Sequence, residues 1–354
     1  MTQPLAGLLV LDFSTLLPGP LAALMLAEAG AEVIKIERPG GEDMRRFPPI
    51  VDGESAAFAL LNRGKQILTI DLKSEADRAK LQPLIARADI LIEQFRPGVM
   101  ARLGLGYDDV AKINPKLIYC SISGYGQSGP RAHEAGHDVN YIGATGLLDL
   151  QPGPVQAPVL PPLLAADIGG GSFPAMINIL LALRARDQNG QGAFIDIAMT
   201  DAMFTFAWYA LALGQATGRF PKSGEIQFVG GSPRYHLYPT KDGRIVACGA
   251  LEQKFWNAFT AAIGLAAEFI DDQRNPAATR DAVAKLIVER RADEWKPIFA
   301  QADCCVTIVA PLEEAVRDPH FIQRGLFTHQ IKNASGKTMP ALPVPVDPQF
   351  RRSI

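Results

Sequence analysis

The run Gly7-Leu-Leu-Val-Leu-Asp-Phe13, then Gly19-Pro20-Leu21 to Ala29-Gly30, then Val33-Ile-Lys-Ile-Glu37, decides the fold. The first run is nearly all apolar and strand-length, as suits a strand covered on both faces of a parallel sheet. Gly19-Pro20 opens a helical segment over Leu21–Ala29, and Gly30 stands where a left-handed C-cap would close it. Val33–Glu37 is the second strand. Strand, helix and strand make a βαβ unit, and its right-handed crossover leads to an open α/β sheet. Glu37 occupies the place of a nicotinamide ribose acid. The turn lacks G-x-G-x-x-G, however, and Arg38-Pro39 follows at once, so the pattern does not support a nicotinamide site.

Further strands are expected at Ile67–Leu72, Asp89–Glu93, Leu117–Ile122 and Ala193–Ala198. Ser74-Glu-Ala-Asp77 is a capping box for a helix reaching Arg87. Gly170–Arg186 and Thr200–Leu213 are apolar helices, and Gly214–Ser232 has the composition of a linker. The texture then changes. Tyr235–Tyr238 and Arg244–Cys248 flank the turn pair Asp242-Gly243, and helical patterns follow at Glu252–Ile263, Ala277–Arg290 and Ala292–Ala300. The expectation is a large α/β domain from residues 1–199 and 325–354, a linker helix and loop at 200–232, and a small α+β domain at 233–324. The proline-rich end from Met339 should pack back on the large domain.

A chain of 354 residues exceeds one ordinary core, which agrees with two domains. A formal charge of −2 offers no field for nucleic acid or an anionic membrane, and neither is expected as a partner. Cys120, Cys248, Cys304 and Cys305 form no C-x-x-C, which suits reduced thiols and a cytoplasmic location. Asp12 and Glu28 interrupt the apolar N-terminus and no Lys or Arg precedes Lys35, unlike a signal peptide. The apolar runs Phe173–Leu183 and Met203–Leu213 are too short to span a bilayer.

Basic residues at Arg38, Arg63, Lys65, Lys73, Arg96 and Arg102 fall near the ends of successive strands. Open α/β sheets collect ligands at their carboxyl edge, and several cations there suit a phosphate-rich, nucleotide-like ligand. The acid–base candidates come from Glu134-Ala-Gly-His137-Asp138-Val-Asn140-Tyr141, from Leu164-Ala-Ala-Asp167-Ile-Gly-Gly-Gly171, and from Glu252. Singly, each has an ordinary explanation: a structural histidine, an N-cap and a first-turn acid. Jointly they suit the movement of a proton on a carbon acid. Backbone N–H groups from Asp167 to Gly170 are expected to hold the resulting enolate oxygen.

The chain resembles the family III CoA-transferase superfamily along nearly its whole length. The resemblance rests on Leu5-Ala-Gly-Leu8, Gly30-Ala-Glu-Val-Ile-Lys-Ile-Glu-Arg-Pro39, Asp71-Leu-Lys73, Arg96-Pro-Gly98, Arg102-Leu-Gly-Leu-Gly106 and Gly124-Tyr-Gly-Gln-Ser-Gly-Pro130. The superfamily shares an aspartate that stands here as Asp167. Gly136-His-Asp-Val-Asn-Tyr141 and Glu252 resemble its racemase branch, which inverts the α-carbon of 2-methylacyl-CoA thioesters. That resemblance implies His137 and Asp167 as two bases, with Glu252 supporting His137. It also implies CoA-ester contacts from Arg38, Ile70, Asp71, Leu72, Lys73, Gln94, Phe95, Arg96, Arg102, Gly136, Asp138 and Tyr141. No metal and no separate cofactor are implied, since CoA is part of the substrate. The implied architecture is an interlocked homodimer with a Rossmann-like large domain, a smaller α+β domain and a site shared between chains. The alternative is a family III transferase with Asp167 as acyl-anhydride nucleophile. A CoA-ester binding protein without turnover is the third reading.

Overall fold

The computed structural model describes residues 3–153, 156–332 and 336–351. The chain divides into two compact units, Met1–Thr145 with Pro161–Phe206 and Pro319–Ile354, and Gly146–Leu160 with Ala207–Asp318. The first unit holds a six-stranded parallel sheet. Its strands are β1 Leu9–Asp12, β2 Glu32–Glu37, β3 Gln66–Thr69, β4 Ile90–Glu93, β5 Ile118–Ser123 and β6 Ala193–Ala198. They lie in the order β3-β2-β1-β4-β5-β6, so the chain reverses direction across the sheet between β1 and β4. Ligands of doubly wound sheets bind outside the carboxyl ends at that switch point.

Helix α1 covers Pro18–Glu28, and all of its residues are buried, as expected of a helix apolar all round. Gly19 permits its approach to the preceding turn, because a Cβ there would lie 2.2 Å from that of Ser14. One face of the sheet packs Leu11, Ile34, Ile36 and Leu91 against Ile85, Met100 and Val110. On the other, Leu21, Leu24 and Met25 of α1 meet Phe58, Leu61 and Val344, so the proline-rich tail does return to this unit. Helix α2 covers Asp138–Ala144 and α3 covers Phe173–Asn189. With the π-helical turn Ala165–Ser172 before it, α3 belongs to a continuous 25-residue helix, Ala165–Asn189. By length and composition that helix could cross a membrane, which corrects the expectation drawn from its shorter apolar run. It packs on α1, β5 and β6.

Two other expected helices are interrupted. The segment from Ser74 to Arg87 forms Glu75–Ala79 and Gln82–Arg87. Pro83 has no N–H to offer the Ala79 carbonyl, and its ring crowds that turn. The 200–213 segment forms Met203–Phe206 and Trp208–Thr217, separated at Ala207.

The second unit builds β7 Tyr235–Pro239, β8 Ile245–Gly249 and β9 Val306–Ile308 into an antiparallel sheet in the order β9-β8-β7. The β7–β8 turn carries Gly243 at φ +75°, where glycine avoids the strain of a side chain. Helices α4 Gln253–Ile263, α5 Pro276–Ile287 and α6 Ala292–Ala302 close a core of Trp256, Phe259, Val283, Trp295 and Phe299.

Beneath the β1–α1 turn lies a buried charge network. Lys65 Nζ donates to Asp12 Oδ2 at 2.9 Å, and both side chains are fully buried. Lys35 Nζ donates to Ser14 O at 2.8 Å and pairs with Glu42 at 2.9 Å. Glu42 Oε2 accepts the Leu16 N–H at 2.7 Å, which holds Leu16 in a left-handed conformation at φ +62°. Burial alone would raise the Asp12 carboxyl, but Lys65 and then Lys35 outweigh it and hold it below its ordinary range. Asp12→Asn removes that charge and leaves the buried Lys65 ammonium without its counterion. The expected loss of unfolding free energy is roughly 3–5 kcal/mol in chemical denaturation. A loss under about 1 kcal/mol would mean the network is not a structural tie.

Candidate active site

Outside the carboxyl ends of β1, β4 and β5 opens a cavity of about 460 Å³. Thr15, Leu16 and Pro18 supply one wall, and Gln94, Phe95 and Arg96 a second. Ser123 and Gly124 end β5 on a third, while Gly136, His137, Tyr141, Asp167 and Met199 complete the lining. The structure therefore brings His137 and Asp167 to one cavity.

His137 directly precedes α2, and its N–H donates to Asn140 Oδ1 at 3.0 Å. Tyr141 Oη donates to Gly136 O at 2.6 Å, folding the loop over its own ring. A Cβ on Gly136 or Gly124 would lie 2.6 or 2.4 Å from that ring, so both positions need glycine for space. Burial first, then Asp167 and Tyr125, push the Tyr141 phenol up to about 12.

Asp138 fastens the two halves of the site together. Its Oδ1 accepts the N–H of Ala166 at 2.7 Å and of Asp167 at 3.0 Å. One oxygen of this carboxylate, expected at the CoA ester, holds the turn that carries Asp167. That turn is π-helical, with wide i→i+5 turns, a geometry frequent at functional sites. It packs tightly: a Cβ on Gly170 would lie 2.2 Å from Met199 O. Ser172 Oγ donates to Pro18 O at 2.8 Å, tying the turn to the start of α1. Asp167 is half-buried. Burial, with Asp138 adding to it, pushes its carboxyl up to about 6 against the lowering effect of His137. Such a group holds or releases a proton near neutrality. The expected oxyanion donors need correction in part. Ala166 and Asp167 have given their N–H groups to Asp138, and Ile168 N donates to Leu164 O at 3.1 Å.

Of the residues expected at CoA, Gln94, Phe95, Arg96, Gly136 and Tyr141 line this cavity. Gln94 also has a structural duty, its Oε1 accepting the Gly19 N–H at 3.0 Å. Arg38 follows β2, exposed, and donates to Gly41 O at 2.9 Å and Asp43 at 2.7 Å. Ile70, just beyond β3, is a core side chain, and Leu72 packs on the same core. Asp71 Oδ1 accepts the N–H of Lys73, whose side chain is exposed. Arg102 ends the short helix Val99–Arg102 after β4, its guanidinium beside Gly98. Two expected cations are withdrawn from the ligand edge. Lys65 belongs to the Asp12 network, and Arg63 pairs with Glu28 at 2.8 Å and donates to Leu342 O at 2.7 Å. Both precede β3 instead of following it, so they start from its amino end. Glu37 is likewise occupied, by Arg45 at 2.7 and 3.0 Å. Glu252 stands in the second unit, exposed, as the N-cap of α4.

An open α/β sheet with His137 and Asp167 on one cavity at its switch point defines the class, and the sequence defines the family. Residues 5–352 match CoA-transferase family III, and the chain belongs to that family. It is 35% identical over 359 residues to alpha-methylacyl-CoA racemase of Homo sapiens, covering 98% of this chain and 89% of that protein. It is also 35% identical over 359 residues to acetyl-CoA:oxalate CoA-transferase of Acetobacter aceti, covering 97% and 89%. The crystal structure of a CAIB/BAIF family protein from Brucella suis superposes with a TM-score of 0.82 at 32% identity, covering 98% of this chain and 93% of that one.

In protein with ¹³C-labelled aspartate, the Asp167 carboxyl should titrate near 6, protonated below and ionised above. Asp138→Asn keeps an acceptor but removes a charge that raises this value, so the midpoint should move down. A midpoint in the ordinary carboxylate range near 4, or one that Asp138→Asn leaves in place, contradicts this electrostatic account.

Proposed function

We propose that this chain is an isomerase that inverts the α-carbon of 2-methylacyl-CoA thioesters by 1,1-proton transfer through an enolate. One base takes the α-proton from one face, and the conjugate acid of the other returns a proton to the opposite face. The electron pair rests meanwhile on the thioester oxygen. The observation that carries this reading is that His137 and Asp167 line one cavity while the Asp167 carboxyl is pushed up to about 6. An acid–base group works best with a pKa near the working pH. The racemase relative supports the same assignment.

In this reading the CoA ester lies across the ends of β2, β3 and β4. Arg38, Lys73, Arg96 and Arg102 meet its phosphates, and Ile70 to Leu72, Gln94, Phe95, Gly136 and Tyr141 flank the rest. Glu252 supports His137 from the small domain of a second chain, in an interlocked homodimer. Two observations agree with a partner. Glu252 is exposed at the head of α4, and α3 exposes Ile177 at 57% and Leu181 at 62%, an apolar flank that suits burial against protein. Buried Cys120, Cys248 and Cys304 suit a cytoplasmic protein. The transferase relative, equally identical, supports a second reading in which Asp167 attacks the thioester. A carboxyl pushed up to about 6, with a histidine on the same cavity, fits proton transfer better than a permanently ionised nucleophile.

In D₂O without a second acid, a single enantiomer of a 2-methylacyl-CoA should gain α-deuterium and lose its configuration while the thioester survives. His137→Ala should slow this by at least about a hundredfold, the lower range for removing a general base. If CoA instead moves only after an acceptor acid is added, and hydroxylamine inactivates the enzyme during turnover, the transferase reading replaces this one.

Sharing of the site is tested by co-expressing His137→Ala and Glu252→Ala chains, each nearly inactive alone. A mixed dimer regains one wholly parental site, so on the order of a quarter of all sites should recover under random pairing. Mixed dimers that form and stay inactive would place all three residues in one chain.

A further inference from the structure

We propose that Ser123 is a catalytic residue, its Oγ–H donating a hydrogen bond to the thioester oxygen as that oxygen takes up the enolate charge. The inference rests on the reading of the cavity as the site of α-proton transfer. Ser123 closes β5 at its carboxyl end and lines the cavity with His137 and Asp167. It is 8% exposed, and its Oγ has no hydrogen-bond partner. Among the described residues, the other buried side-chain atom without a hydrogen bond is Glu42 Oε1, which has Lys35 at 2.9 Å. Ser123 Oγ has neither. A buried hydroxyl left unpaired is costly, and such groups call for an explanation.

Its neighbours sharpen the contrast. Ser121, two residues earlier on the same face of β5, accepts from Gln127 Nε2 at 2.7 Å. Ser14 Oγ donates to Asp12, Ser172 Oγ to Pro18 O, and Tyr141 Oη to Gly136 O. Every one of these hydroxyls is spent inside the protein, whereas Ser123 Oγ has no such partner.

Ser123 is also tied through the fold to the turn that carries Asp167. Its carbonyl accepts the Met199 N–H at 2.8 Å, and the Met199 carbonyl abuts Gly170 in the turn that carries Asp167. The chemistry needs a donor here. Removal of the α-proton leaves its electron pair on the thioester oxygen, and preorganised donors stabilise that charge most in a site screened from water. The N–H groups of Ala166, Asp167 and Ile168 are occupied, as described above. Thr15, Arg96, His137 and Asn140 along the wall are exposed to water. Ser123 keeps its own proton throughout; it stabilises the oxygen and leaves proton transfer to the two bases.

Ser123→Ala should lower kcat for α-deuterium exchange by about 10- to 100-fold with little change in KM, the effect of one lost donor to a charged oxygen. Ser123→Thr, which keeps a hydroxyl, should recover part of that loss. A merely structural role would not move the second readout, which needs no turnover. A CoA thioether ending in a nitronate, a planar anionic mimic of the enolate, should bind Ser123→Ala more weakly by a similar factor. A CoA thioether without that oxyanion should bind parent and variant alike. Should Ser123→Ala fail to fold, Ser123→Cys, with a much weaker donor, takes its place. Parental kcat and parental nitronate affinity in a folded variant would overturn the proposal. If the parent exchanges no α-deuterium, the isomerase reading falls, while nitronate binding still decides the role of Ser123.

Discussion

The pairing of buried charges beneath the β1–α1 turn is the constraint on which the site depends. Asp12 with Lys65, and Lys35 with Glu42, put four ionisable groups where water cannot solvate them. Such an arrangement persists only if each charge meets its counterion. What the pairing secures is a shape. Glu42 and Lys35 grip the backbone at Leu16 and Ser14, and that grip sets where α1 begins. The start of α1 in turn receives the side chains of Gln94, from a wall of the cavity, and of Ser172, from the end of the turn bearing Asp167. A tie laid in the first βα turn thus reaches the turn bearing Asp167 through a short series of named contacts.

Much of this fold could be read along the chain. The apolar runs that became β1, β4 and β5 are continuous because both faces of the sheet are covered, and periodicity reports that directly. Glycine precedes His137 and follows Asp167 in the sequence, and the structure shows what comes close there: the Tyr141 ring at Gly136, the Met199 carbonyl at Gly170. Other features were not legible because they are partnerships between distant residues. Lys65 and Asp12 are 53 positions apart, and Arg63 and Leu342 are 279 apart. A lysine near a strand end reads the same whether it faces a phosphate or a buried aspartate. The bonds of Asp138 are hidden in the sequence for the same reason, since the N–H groups it accepts belong to residues 28 and 29 positions further on. The interruption at Pro83 is different, because it is local: a proline inside a helical segment removes one N–H and crowds the preceding turn.

Within the site, the two aspartates have divided their tasks. Asp138 spends its carboxylate on backbone N–H groups and so fixes geometry, while its charge makes ionisation of Asp167 harder. One residue thereby both orients and tunes the other. The absence of a free backbone donor at Asp167 follows from the same bonds, which is why the unpaired hydroxyl at the end of β5 gains its importance.

The large unit is discontinuous in sequence, and this bears on how the chain matures during synthesis. Val344 completes the apolar cluster over α1, and Leu342 provides the carbonyl that receives Arg63. Both leave the ribosome long after the sheet strands they cover, with the whole of Ala207–Asp318 translated in between. Until then the nascent sheet carries an unfinished apolar face and a guanidinium short of one acceptor. Vectorial synthesis therefore delivers the second unit's core, which is nearly contiguous, before the first unit is sealed.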